Sequence, residues 1–211
     1  MKRRGSSDEG VASPTEVSSR CQSTGGLPSA ASCPDGGESL TSIRTAIPED
    51  AKAIAGVHVA GWQWAYVGLL PEPLLRAQSV PDRASFWRSY ITDPTNWPVF
   101  VAADGEDIVG FASAIAARDG DLDDSKVSEL AAIYMLEGAT GEGLGKALLE
   151  RCWKESRDRS RDSMVLWVLA ENDRARRFYS RHGFEADGTS KHEERLGTNE
   201  IRMSASISAS R

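Results

Sequence analysis

Ile133-Tyr134-Met135-Leu136-Glu137-Gly138-Ala139-Thr140-Gly141-Glu142-Gly143-Leu144-Gly145-Lys146-Ala147-Leu148 is the stretch on which the reading of this chain turns. An apolar, β-rich run over 128–136 enters a turn with glycines at 138, 141, 143 and 145. A helical pattern over 143–158 leaves it. Glycines let backbone N–H groups approach an anion closely, and a helix start carries about half a positive charge. Such a turn is an anion site or a bare connector. Two familiar phosphate loops do not fit it. A Walker A loop needs Gly-x4-Gly-Lys-Ser/Thr, but Thr140 and Ala147 stand where the first Gly and the hydroxyl belong. A dinucleotide turn needs Gly-x-Gly-x-x-Gly, and the last position falls on Lys146 or Leu148. Nucleotide hydrolysis and dinucleotide redox chemistry both lose ground.

Working outward, strand-like and helical runs alternate. Residues 42–46 read as a short strand with Ile43 inward. Pro48-Glu49-Asp50 opens a helix, because Pro suits a first turn and acids suit the positive dipole end. Ile54, Val57 and His58 follow at helical spacing up to Gly61, and an aromatic group (Trp62, Trp64, Tyr66) leads to Pro71. A second helix is predicted over 81–92. Residues 99–103 and 108–114 read as a hairpin across Asp104-Gly105. Downstream, 164–169 is β-rich, 172–182 is helical up to Gly183, and 184–186 and 200–206 are closing strands. The polar stretch 190–200 reads as a hairpin loop. This order predicts an α/β fold, one mixed sheet with helices on both faces.

Composition bounds the rest. The 211-residue chain has no apolar run of the roughly 18 residues that a membrane helix needs. Its net charge of -6 argues against a nucleic-acid partner, which requires a basic footprint. Three cysteines (Cys21, Cys33, Cys152) fit no zinc or disulfide spacing, so no metal is expected and a cytoplasmic setting is the natural reading. Residues 1–40 hold nine Ser, six Gly and three Pro and lack aromatics, a composition predicted to be disordered. The folded domain is then 41–211.

Thr140-Gly141-Glu142-Gly143-Leu144-Gly145 resembles the Gln/Arg-x-x-Gly-x-Gly/Ala signature of the GNAT N-acetyltransferases, with Thr140 departing from Gln/Arg. Asn172-Asp173-Arg174-Ala175-Arg176-Arg177-Phe178-Tyr179-Ser180-Arg181-His182-Gly183-Phe184 resembles that family's Asn-x-x-Ala-x-x-Phe-Tyr-x-x-x-Gly-Phe. The likeness runs over roughly 42–207. It implies a single-domain GNAT fold, a mostly antiparallel mixed sheet flanked by helices. It further implies acetyl-CoA as co-substrate and direct transfer of its acetyl group to an amine in a ternary complex. A CoA-binding module without turnover is the rival reading.

The resemblance also places the parts. Thr140, Gly141, Glu142, Gly143, Leu144, Gly145 and Lys146 would hold the pyrophosphate, mainly through backbone N–H groups. Ile133, Tyr134 and Met135 would line the pantetheine arm, and Asn172 would hydrogen-bond there or cap its helix. Tyr179 would protonate the leaving sulfur, or only pack. A lysine-type amine, pKa about 10.4, is under about 0.1% neutral at pH 7, a cost of roughly 4–5 kcal/mol that a base reduces. Glu129, at the start of the buried strand, is the candidate base, and His58 a lesser one. Trp62, Trp64 and Tyr66 would border the acceptor, or pack as a satellite core. Arg174, Arg176, Arg177 and Arg181 read as a solvated basic face, with some meeting the CoA 3′-phosphate. The acceptor is a small-molecule or protein amine, and homodimerisation is compatible with the family.

Overall fold

Seven strands form one sheet in the order β1-β2-β3-β4-β5-β7-β6 in the computed structural model, which describes residues 41–207. The tail expected at 1–40 lies outside the described residues. The elements run β1 (Thr41–Thr45), α1 (Ala51–Tyr66), α2 (Glu72–Arg76), α3 (Val80–Thr92), β2 (Val99–Asp104), β3 (Asp107–Ala116), β4 (Val127–Met135), α4 (Leu144–Asp158), β5 (Ser163–Leu169), α5 (Asp173–Arg181), β6 (Glu185–Glu193) and β7 (Thr198–Ser206). β4 and β5 pair in parallel, and every other pairing is antiparallel. The expected mixed α/β architecture with one sheet is the one observed.

Alternation along the strands assigns the two faces. Phe100, Ala102, Ala112, Met164, Leu166 and Met203 turn to the face that α4 covers with Leu148, Leu149 and Cys152. Val99, Val101 and Phe111 turn to the other face, under α1 and α3 with Ile54, Val57 and Trp87. Burial of these side chains supplies the main stabilisation, about 1.5–3 kcal/mol for each large one.

Two features of β4 open the sheet. Its pairing with β5 covers only Val127 to Glu129, against Ser163 to Val165. Its register with β3 slips between Ser113 and Ala114, opposite Ala132 and Leu130, so Ala131 is an extra residue. A bulge bends a strand and reverses which side chains share a face. Leu130 accordingly packs with the α4 core, whereas Ala132 and Tyr134 pack under α1. β4 bends away from β5 at the point where their pairing ends. The wedge left between them exposes a strand edge inside the molecule.

Two boundaries differ from the sequence reading. Helix α1 continues through Gly61, Trp62, Trp64 and Tyr66 instead of stopping near Gly61. A Cβ on Gly61 would stand 3.0 Å from Tyr134 Cβ and 3.1 Å from the Met135 carbonyl oxygen, so the missing side chain lets the helix press on β4. The supposed loop over 190–200 is mostly strand, the end of β6 and the start of β7, with a turn at Glu194–Gly197. β6 is a largely exposed edge strand and carries no apolar alternation to read.

Candidate active site

A cleft of about 600 Å³ fills the wedge. One wall is β4 from Leu130 to Met135, and the floor of one end is the glycine turn with Thr140, Gly141, Gly143, Gly145 and Lys146. The opposite wall is α5 and its start, with Asn172, Arg174, Arg177, Phe178 and Tyr179. Gly61, Trp64 and Tyr66 of α1 and Trp167 of β5 close the other end. Beyond Glu129, β4 has no strand partner on the β5 side, so its N–H and C=O groups there are available to a ligand.

The glycine turn owes its shape to positive φ. Gly141 and Gly143 have φ of +92° and +83°, a region that L side chains enter at a cost of about 1–2 kcal/mol. Gly143 is the N-cap of α4 and offers no side chain to the helix N–H groups. A Cβ at either glycine would meet nothing within 4 Å, so the space above the turn is open. The Thr140 hydroxyl donates to the Glu137 carbonyl at 2.8 Å and tightens the turn. Exposed Glu142 and buried Leu144 do not line the cleft, so their part in it is limited to backbone groups.

Asn172 caps α5, its Oδ1 accepting from the Ala175 N–H at 3.1 Å, and it also lines the cleft. Helix periodicity then divides the arginine run. Arg174, Arg177 and Arg181 face the cleft, while Arg176 turns away and donates to the Ala170 carbonyl at 3.0 Å. Arg174 lies 3.5 Å above the Trp64 ring, so a cation–π contact joins the α5 wall to the end that α1 closes.

Three phenols meet at the junction of β4, α1 and α5. The Tyr66 and Tyr134 hydroxyls share a hydrogen bond, and Tyr179 lies within their electrostatic reach. Burial pushes Tyr179 well above the ordinary phenol range, so it holds its proton at neutral pH. Its ring packs edge-on to Phe178 and Phe184, at 5.4 and 5.9 Å between centroids.

Three expected residues have other surroundings. Glu129 is buried and does not line the cleft; both carboxylate oxygens accept from Arg118, Nε at 3.0 Å and Nη2 closer still. It therefore stands as one half of an ion pair and not as a free carboxylate facing an amine. Trp62 also stays outside the cleft lining. It packs with Leu70, Leu75 and Leu169 and meets Tyr66 edge-on at 4.6 Å, supporting the wall from behind. His58 is buried under α3, where Nδ1 accepts from Trp87 Nε1 at 3.1 Å. Burial and nearby Arg83 push it down to about 3, so it is neutral and unavailable as a cleft base.

Trp167 of β5 lines the cleft and was not among the expected site residues. Its indole N–H donates to Asp119 Oδ2 at 3.1 Å, and Lys191 Nζ sits 4.0 Å above its ring. Arg202 holds Asp119, Asp121 and Asp187 together at 3.1, 2.8 and 2.6 Å, pinning the β3–β4 loop against β6 and β7. Residues so far apart in the chain carry no local sequence signal for this contact. Among the described residues no group of three or more His, Cys, Asp or Glu could hold a metal ion, and no helix is long and apolar enough to cross a membrane.

Residues 62–184 match the family model described as the Acetyltransferase (GNAT) family. The chain is 32% identical over 134 residues to the uncharacterized N-acetyltransferase YuaI of Bacillus subtilis, spanning 63% of this chain and 74% of YuaI. Its fold is similar to that of the PaiA N-acetyltransferase of Thermoplasma acidophilum in complex with coenzyme A, with a TM-score of 0.64 at 20% identity over 79% of this chain and 98% of that one. YncA of Salmonella typhimurium with acetyl-CoA is also similar, with a TM-score of 0.62 at 20% identity over 82% of this chain and 97% of that one.

Proposed function

The chain belongs to the acetyltransferase (GNAT) family, and on that premise we propose that it transfers the acetyl group of acetyl-CoA to an acceptor amine by direct attack in a ternary complex. The observation that carries this reading is the wedge between β4 and β5, with an unpaired strand edge on one side and a positive-φ glycine turn at one end. An extended amide-bearing arm suits the strand edge, and a pyrophosphate suits the turn and the start of α4. Acetyl-CoA supplies the acetyl group as a thioester.

The backbone N–H groups of 140–146 hold the pyrophosphate. Ile133, Tyr134 and Met135 orient the pantetheine arm through their main chain, and Asn172 fixes the start of α5 beside it. The amine nitrogen forms its bond to the carbonyl carbon, the carbon–sulfur bond breaks, and Tyr179 gives its proton to the leaving sulfur. Trp64 and Tyr66 border the acceptor, and Trp62 braces them. Glu129 fixes Arg118 on the acceptor side of the sheet. Glu129 lies outside the cleft lining with both oxygens on Arg118, so the proton that the attacking amine loses passes to water and not to this carboxylate. Direct attack is favoured over an acyl-enzyme because Cys152, the one cysteine among the described residues, is buried in the α4 core with its thiol pushed up.

The test is release of free thiol from acetyl-CoA against a panel of amines. Release that depends on an added amine, with one N-acetyl product per thiol, is expected. Acetyl-CoA binding without thiol release from any amine would replace this reading with that of a binding module.

A further inference from the structure

Strand alternation decides which side chains reach the wedge from the α1 side. On β5, Met164, Leu166 and Val168 turn to the α4 core, so Trp167 and Leu169 turn the other way, Leu169 against Trp62 and Tyr66. Past the bulge of β4, Tyr134 turns to that side as well. Trp64 and Tyr66 come from the end of α1. Four aromatic side chains thus line the cleft on its α1 side. Three of their polar groups are already engaged. The Trp167 indole N–H donates to Asp119 Oδ2 at 3.1 Å, and the Tyr66 and Tyr134 hydroxyls share a hydrogen bond. What these side chains chiefly offer a ligand is ring surface.

No acid stands ready to meet an ammonium there. Among the described residues no Asp or Glu lines the cleft, whereas Lys146, Arg174, Arg177 and Arg181 do. Nearby carboxylates are each held by a cation: Asp119 by Arg202 at 3.1 Å, Glu200 by Lys191 at 3.4 Å, and Glu129 by Arg118. The cations also cover the rings from outside, Arg174 at 3.5 Å on Trp64 and Lys191 at 4.0 Å on Trp167. A second ammonium on the acceptor would therefore lose hydration without gaining a carboxylate, and would meet like charge. A single amine can enter neutral, since an apolar surrounding disfavours its charged form. An aromatic body offsets that cost by burying its ring against the four side chains, stacked or edge-on.

We propose that the acceptor is a primary amine on an aromatic body with no second charge, of arylalkylamine type, seated among Trp64, Tyr66, Tyr134 and Trp167. This rests on the acetyltransferase reading above. Trp167 is then a specificity-determining residue. Asp119 positions its ring through the indole N–H, and Arg202 positions Asp119.

The experiment measures thiol release by the full chain at saturating acetyl-CoA, with 2-phenylethylamine, tryptamine, butylamine, spermidine and a lysine peptide. An aromatic amine is expected to be the best acceptor, with kcat/KM at least about tenfold above butylamine and spermidine. Trp167→Ala should reduce the aromatic-to-butylamine ratio to within about threefold, mainly through KM, and Trp167→Phe should retain most of it. Trp64→Leu gives a second reading of the same ratio should Trp167→Ala not fold. A retained rise in Tm with acetyl-CoA identifies the folded variants. Preference for spermidine, butylamine or the lysine peptide would overturn the inference, as would an unchanged ratio in the folded Trp167 and Trp64 variants. Acetyl-CoA binding with no thiol release from any of these amines would instead overturn the acetyltransferase reading.

Discussion

Replacing Tyr179 with Phe is expected to lower kcat by about 10²–10³-fold, roughly 3–4 kcal/mol of barrier, while acetyl-CoA affinity stays within about twofold. The ring contacts to Phe178 and Phe184 survive the change, so only the O–H is lost. A phenol near 10 and a thiol near 8.5 differ by about 2 kcal/mol in proton affinity. Burial raises Tyr179 and makes early transfer costlier. It equally raises a thiolate born in the same cleft, so the match is restored as the carbon–sulfur bond breaks. The raised value also fixes the sign of the pH dependence. Tyr179 keeps its proton until pH passes above the ordinary phenol range, so it causes no loss of rate below about pH 10. Steady-state kinetics across that range are the check, and an unchanged kcat in Tyr179→Phe would remove it as the acid.

The second large effect is on stability. His58 is held neutral in the folded chain, down to about 3, against about 6.5 when unfolded. Protons therefore bind the unfolded state first. The contribution of His58 is complete above about pH 6.5 and is lost as pH falls toward about 3. Its upper limit is about 5 kcal/mol, and near pH 4.5 the loss is about 2–3 kcal/mol. His58→Gln keeps an acceptor for the Trp87 N–H but has nothing to titrate. Urea unfolding at about pH 7 and 4.5 should show the wild type losing about 2–3 kcal/mol more than the variant. Equal losses would mean that His58 is not the titrating group.

What the sequence makes legible here is what the backbone itself encodes. Gly141 and Gly143 mark a turn that needs positive φ, and Asn172 to Phe184 marks a short capped helix ending at glycine. Both lie on the cleft. The wedge is less legible, because the Ala131 bulge is a property of the β3–β4 register and leaves no pattern in either strand alone. The ion pair that occupies Glu129 comes from Arg118, across the β3–β4 loop. Gly61 suggests a helix end but instead permits a close helix crossing over Tyr134 and Met135. The arginine run looks uniform in sequence, yet helical spacing sends Arg174, Arg177 and Arg181 to the cleft and Arg176 away.

The account stands or falls on acetyl-CoA in the wedge with its pyrophosphate on the glycine turn. Thermal unfolding with and without acetyl-CoA tests this in the wild type and in Gly143→Ala, whose methyl group would enter the open space above the turn. At about 100 times Kd the ligand adds about 2.7 kcal/mol to the native state, a rise of a few degrees in Tm. The wild type should show that rise, and Gly143→Ala less than about half of it. No rise in the wild type at millimolar acetyl-CoA, or an equal rise in both proteins, would contradict the account.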